Sequence, residues 1–156
     1  MIILQDTREK EPWKFTSYQQ CTGQIEYKLD AGDYALDQDE FLITIERKKS
    51  VAEISGNLGM RYDRFMKEMV RMQQYRFRYV ICEFSYESLL MFPKNSKIPY
   101  KMRRKVRMNG KFLAKRIDDV SEEFGVEFIF CNNREEARDK AIELLTEADR
   151  IYNDEL

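Results

Sequence analysis

The 156-residue chain contains no histidine. That absence excludes serine and cysteine triads built on imidazole, histidine-metal nuclease sites and the ordinary zinc sites, and leaves carboxylate, lysine and hard-metal chemistry. Cysteine is sparse: Cys21, Cys82 and Cys131 are an odd number with no Cys-x-x-Cys pair, so they read as reduced thiols rather than a disulfide or metal framework. No apolar run approaches the roughly 18 to 20 residues of a membrane span, and the amino terminus lacks the basic-then-apolar plan of a signal peptide. The expectation is a soluble intracellular protein without a membrane, cytoplasmic in a prokaryote or virus and nuclear in a eukaryote. Proline and glycine number only three and six, so each one marks a boundary.

What is present is globular in composition, with 43% hydrophobic and 35% charged residues, and the length fits one domain over 1–156. Net charge is −1, but it is unevenly placed. Lys94 to Arg116 carries ten Lys or Arg and no acid, whereas Ile117 to Leu156 carries thirteen acids against four bases. Such a segment predicts an anion-binding surface despite a pI of 5.7.

Strand signals come first. Met1 to Gln5 is a short apolar run, Ile25 to Leu29 alternates, Tyr34 to Leu36 follows the turn at Asp30-Ala31-Gly32-Asp33, and Phe41 to Lys48 follows a second turn. Trp13 and Phe15, after Pro12, are expected to pack beside the sheet. With the second turn centred between Gln38 and Asp39, Asp33 faces Thr44 and has Glu46 as diagonal neighbour, with Lys48 on the same face. Phe41, Ile43 and Ile45 then point to the core.

Ser50 and Glu53 form a capping box for a helix from Val51, which Gly56 and Gly59 kink or split. Arg78 to Phe84 reads as a central strand, with Glu83 a surface carboxylate at its end. Tyr86 to Met91 reads as a short helix. The stretch at about 93–110 reads as a basic loop or flap. A helix through Leu113, Ile117, Val120 and Phe124 stops at Gly125, Val126 to Cys131 makes another strand, and Asn133 with Glu136 opens a final helix. The sum is an α/β fold, a mixed β-sheet flanked by α-helices.

Asp33, Glu46 and Lys48 make an Asp-x12-Glu-x-Lys pattern on adjacent strands. Two carboxylates without histidine suit Mg²⁺ or Mn²⁺, and a nearby lysine can hold or deprotonate a water if burial and cationic neighbours depress its pKa. Hydrolysis of phosphodiesters is the chemistry this offers. The same three residues also suit a charged edge strand.

Three ordered stretches narrow that choice. Asp6-Thr7-Arg8-Glu9-Lys10, Ala31-Gly32-Asp33-Tyr34 and Ile45-Glu46-Arg47-Lys48 resemble the signatures of the ERCC4 (XPF/Mus81/Hef-type) nuclease domain, a branch of the PD-(D/E)xK superfamily. The resemblance continues through Ser50 to Ile54, Arg61 to Gln74 and Val80 to Phe84. It implies a restriction-endonuclease-like core and a Mg²⁺-dependent endodeoxyribonuclease that cuts flap, fork or branched DNA in repair or recombination. It places Asp6, Arg8, Glu9, Asp33, Glu46, Arg47 and Lys48 in the catalytic site, with Asp33, Glu46 and Asp6 on the metal. Arg8 and Arg47 are equally suited to salt bridges with these acids. The family's Glu-Arg-Lys is followed by three residues and then Asp, but that place here is Ala52; either an insertion shifts the acid to Glu53, or Glu53 is only a cap. DNA contacts are expected from Arg61, Arg64, Lys101, Arg103, Arg104, Lys105 and Arg107, with Tyr100 or Phe112 against an unpaired base. A homodimer or a partner subunit is expected as well. The alternatives are a non-catalytic DNA-binding or scaffold subunit and a four-way-junction resolving nuclease.

Overall fold

A computed structural model describes residues 1–156 except Asn95, Arg104 and Arg107. Its centre is a six-stranded mixed sheet: β1 (Ile2–Gln5), β2 (Gly23–Glu26), β3 (Tyr34–Leu36), β4 (Ile43–Lys48), β5 (Phe77–Cys82) and β6 (Glu127–Phe130), in the order β2-β1-β3-β4-β5-β6. β1 pairs antiparallel with β3, and β3 with β4; β4, β5 and β6 run parallel, as does β2 beside β1. Among the described residues six helices accompany the sheet: α1 (Val51–Leu58), α2 (Tyr62–Met72), α3 (Tyr86–Met91), α4 (Tyr100–Arg103), α5 (Gly110–Phe124) and α6 (Arg134–Asp154). None of the described helices is long and apolar enough to cross a membrane.

Alternation along the central strands divides the core in two. Val80 and Cys82 join Ile54, Leu58, Phe65, Met69, Leu113 and Ile117 on the face covered by α1, α2 and α5. Ile81 points the other way, with Ile43, Ile45, Trp13, Phe15 and Tyr34 against Ala137, Ala141 and Leu145 of α6. β4 is therefore buried on both faces along its whole length, which parallel pairing on one side and antiparallel pairing on the other permits. Its polar residues are not an exposed edge.

Local signals explain most boundaries. Ser50 Oγ accepts from Glu53 N–H at 3.1 Å to start α1, and the expected split falls at Gly59, where α1 ends and α2 begins after Arg61. Asn133 Oδ1 accepts from Glu136 N–H at 2.8 Å, and Gly125 closes α5 at φ 64°.

Four expectations differ. The second strand is Gly23–Glu26 rather than Ile25 to Leu29, because Leu29 N–H is taken by the Asp6 carboxylate at 3.0 Å instead of a strand neighbour. The β3–β4 register pairs Tyr34 with Ile45, so it is shifted by two residues from the expected one. The connection is longer than a two-residue turn: Asp39 Oδ1 accepts from Phe41 N–H and its carbonyl from Leu42 N–H, holding both residues out of the ladder. Phe41 accordingly packs with Tyr75 in the cluster opposite to Ile43 and Ile45. Within 93–110, α4 forms and Ile98, Val106 and Met108 anchor the stretch on the core.

Candidate active site

A shift of two leaves every β4 side chain on its expected face, since side chains repeat with period two. It also brings Asp33 closer to Glu46 than a diagonal pair. Asp33 N–H donates to the Ile45 carbonyl at 2.7 Å, and Asp33 Oδ2 accepts from Arg47 N–H at 2.8 Å. Gly32 makes this approach feasible. Its φ is 75°, and an added Cβ would strike Thr44 Oγ1 and lie 3.1 Å from the Ile45 carbonyl.

Asp33 and Glu46 face each other across the β3–β4 pairing, and both carboxyls are held above their ordinary range. Burial is the main cause for each, and for Glu46 the neighbouring Asp33 charge comes next. Lys48 lies on the same face, its Nζ 5.1 Å from the Phe65 ring of α2. Burial pulls its pKa down, but Glu46, Glu68, Glu53 and Asp33 together raise it above its ordinary value. The sequence-based role as a base needed cationic neighbours and a depressed pKa; the neighbours here are carboxylates and the shift is upward.

Glu68 is the acid that sequence reasoning missed. Its charge acts on Glu46, Asp33 and Lys48. Its signal was present: it follows Phe65 by three residues and precedes Met72 by four, which puts an acid on the buried side of α2.

The remaining motif residues form the support. Asp6 N–H donates to the Asp33 carbonyl at 2.8 Å. Both Asp6 oxygens are engaged, Oδ2 by Arg8 Nε at 2.9 Å and Oδ1 by Leu29 N–H. The side chain of Arg8 is 66% exposed and keeps one face toward solvent. Arg47 differs: its side chain is 1% exposed and points to the α6 side of the sheet. There it lies over Trp13 at 4.8 Å, bonds Glu83 at 2.9 Å and the Glu11 carbonyl at 2.9 Å, and pairs with Glu9 at 3.5 Å. Glu11, at φ 50°, turns its carbonyl to that guanidinium. Glu83 is thus buried rather than on the surface, and it also accepts from Trp13 Nε1 at 2.7 Å. Burial raises the pKa of Glu9, followed by repulsion from Asp33, and its Oε2 has no hydrogen-bond partner. Glu53 caps: its Oε1 accepts from Lys49 N–H at 2.9 Å.

Of the basic residues, Arg103 is turned inward to the Ile98 and Ser96 carbonyls, while Lys101 and Lys105 are exposed. Arg61 is exposed at the start of α2 with its guanidinium over Gly56, and Arg64 is exposed beside it. Arg104 and Arg107 lie outside the described residues. Phe112 is covered on one side by Arg116, 5.2 Å from its ring, and Tyr100 is 80% exposed.

Among the described residues, no three His, Cys, Asp or Glu side chains are gathered as a metal cage. The donor set nonetheless fits a hard cation. Asp33 and Glu46 bring two carboxylates together beside Lys48, and Mg²⁺ binds through one or two carboxylates while keeping several waters.

No family model matches the chain, and no curated protein matches it in sequence. Solved structures do. XPF from Aeropyrum pernix superposes with a TM-score of 0.66 at 16% identity, over 99% of this chain and 68% of that one. XPF from Aeropyrum pernix in complex with DNA gives 0.61 at 15% identity, over 98% of this chain and 65% of that one. The chain thus spans about two thirds of their length and shares their fold.

Proposed function

We propose that the chain is a metal-dependent endodeoxyribonuclease acting on flap, fork or otherwise branched DNA. The observation that carries this reading is the Asp33–Glu46 pair, set face to face by the β3–β4 pairing and the Arg47 N–H bond to Asp33, with Lys48 on the same face. The DNA complex of a fold neighbour adds support for nucleic acid as the ligand.

Asp33 and Glu46 would hold Mg²⁺ or Mn²⁺, with the Arg47 carbonyl beside them. Bound there, the ion polarises a phosphate oxygen and acidifies a water. The residues of the chain do the rest. Asp33 is fixed at three points, by Asp6 N–H on its carbonyl, by the Ile45 carbonyl on its N–H, and by Arg47 N–H on Oδ2. Lys48, as an ammonium, orients the attacking water and neutralises charge on the phosphate. Arg8 offers an exposed guanidinium to phosphate, whereas Arg47 is structural. Asp6 organises the site in preference to binding metal, and Glu9 supports it through Arg47.

The exposed Arg61, Arg64, Lys101 and Lys105 are assigned to the DNA backbone, together with Arg104 and Arg107. Exposed Tyr86, Leu90 and Phe112 offer apolar surface to a second copy or a partner subunit. The test is incubation with labelled flap, fork, four-way junction, duplex and single-stranded DNA, in Mg²⁺ or EDTA, beside Glu46→Ala. Mg²⁺-dependent cutting of branched DNA that Glu46→Ala abolishes is expected. Binding without cutting would assign the chain to a non-catalytic subunit.

A further inference from the structure

Immediately after Lys48 the chain passes through Lys49 and Ser50 into α1, and these two residues form one wall of a cavity of about 360 Å³. Its size is within the range of about 300 to 1,000 Å³ usual for small-ligand sites. Phe84, which follows β5, and Phe92, which follows α3, line its apolar part and are almost fully buried, at 7% and 4% exposure. Ser88 of α3 borders it, and Lys97 stands at the rim on the basic stretch.

Resting on the nuclease reading above, we propose that this cavity receives one unpaired nucleotide of the DNA next to the scissile phosphate, and so selects branched substrates. The lining matches the parts of a nucleotide. The exposed margins of Phe84 and Phe92 give an apolar floor for a base, hydroxyls suit its polar edge, and the two lysines suit its phosphate. Lys49 Nζ is held by the Lys10 carbonyl at 2.8 Å, so one ammonium is fixed beside the Asp6 to Lys10 motif rather than free in solvent. Position supplies the remaining argument. Lys49 follows Lys48 directly and lines the opening, so a strand with one phosphate at Asp33, Glu46 and Lys48 would bring its next nucleotide toward the cavity. A base stacked and paired within a duplex must first be extruded to enter, whereas an unpaired base at a flap or fork enters without that cost. Selectivity for branch points then arises inside this fold.

The experiment uses a flap with 2-aminopurine as the unpaired base at the junction and the matched continuous duplex, bound in Ca²⁺. Ala52→Trp fills the cavity from its exposed α1 wall, and Lys97→Ala removes the rim charge. With the wild-type protein, 2-aminopurine is expected to become shielded from acrylamide. Ala52→Trp is expected to lower the flap-to-duplex affinity ratio about tenfold, the scale of stacking one base, and Lys97→Ala to lower it in the same direction. Should Ala52→Trp not fold, the shielding and Lys97→Ala decide alone. An unshielded reporter, or variants that keep the wild-type ratio while Mg²⁺-dependent cutting persists, overturns the pocket and leaves the nuclease reading intact. Failure of the wild-type protein to bind or cut any DNA overturns both.

Discussion

Glu46→Gln is expected to stabilise the metal-free protein and to end its response to Mg²⁺. Asp33 and Glu46 have folded pKa values raised above their ordinary ones. A carboxyl raised in the folded state contributes stability below its unfolded pKa, and that contribution is lost as pH rises through the folded value. The metal-free wild type is therefore expected to lose stability from the ordinary carboxylate range upward, with Lys48, also raised, acting in the same direction at higher pH. Glu46→Gln flattens this slope. Melting curves against pH, with and without Mg²⁺, check both halves: the wild type gains stability from the ion at neutral pH and the variant does not. Glu83→Ala addresses a different residue. It leaves the Arg47 guanidinium buried with one partner fewer, and urea unfolding is expected to show a loss of about 3–5 kcal/mol. An unchanged midpoint would mean that the Trp13, Arg47 and Glu83 network is not what fixes β4.

At the scale of elements, the β3–β4 pairing sets the site. Gly32→Ala forces a Cβ against Thr44 and the Ile45 carbonyl at a positive φ. A loss of about 1–3 kcal/mol is expected from backbone strain alone, together with a weaker Mg²⁺ response, because Asp33 moves with the turn. Strand and helix boundaries near Tyr34, Ser50, Gly125 and Asn133 were legible because each carries a local chemical signal. The register was not, since the Asp39 turn that sets it depends on side-chain bonds within the loop. Face parity survived, and so the grouping of Asp33, Glu46 and Lys48 was readable even with the pairing shifted. Glu68 and Glu83 were harder to read: nothing in sequence says which helix covers β4 or that Trp13 folds back to the end of β5.

For the whole molecule, charge asymmetry becomes an orientation. The basic residues from Lys94 to Arg116 include Lys97, on the cavity beside Lys49, whereas the acids after Ile117 lie chiefly on α5 and α6, the latter packing on the far face of the sheet. DNA is expected to approach on the side of α1 and the basic stretch. Lys101→Ala with Lys105→Ala is expected to reduce the slope of log affinity against log salt by about 0.9 for each phosphate no longer neutralised, measured by fluorescence anisotropy. An unchanged slope would take this stretch out of the interface.

The most direct test is single-turnover incision of a labelled flap by the wild type and by Asp33→Asn, each in Mg²⁺ and in EDTA. The account predicts product only from the wild type in Mg²⁺, with Asp33→Asn slower by about a thousandfold or more, the scale of several kcal/mol of metal-supplied stabilisation. Equal product from both proteins, or from the wild type in EDTA, would contradict it.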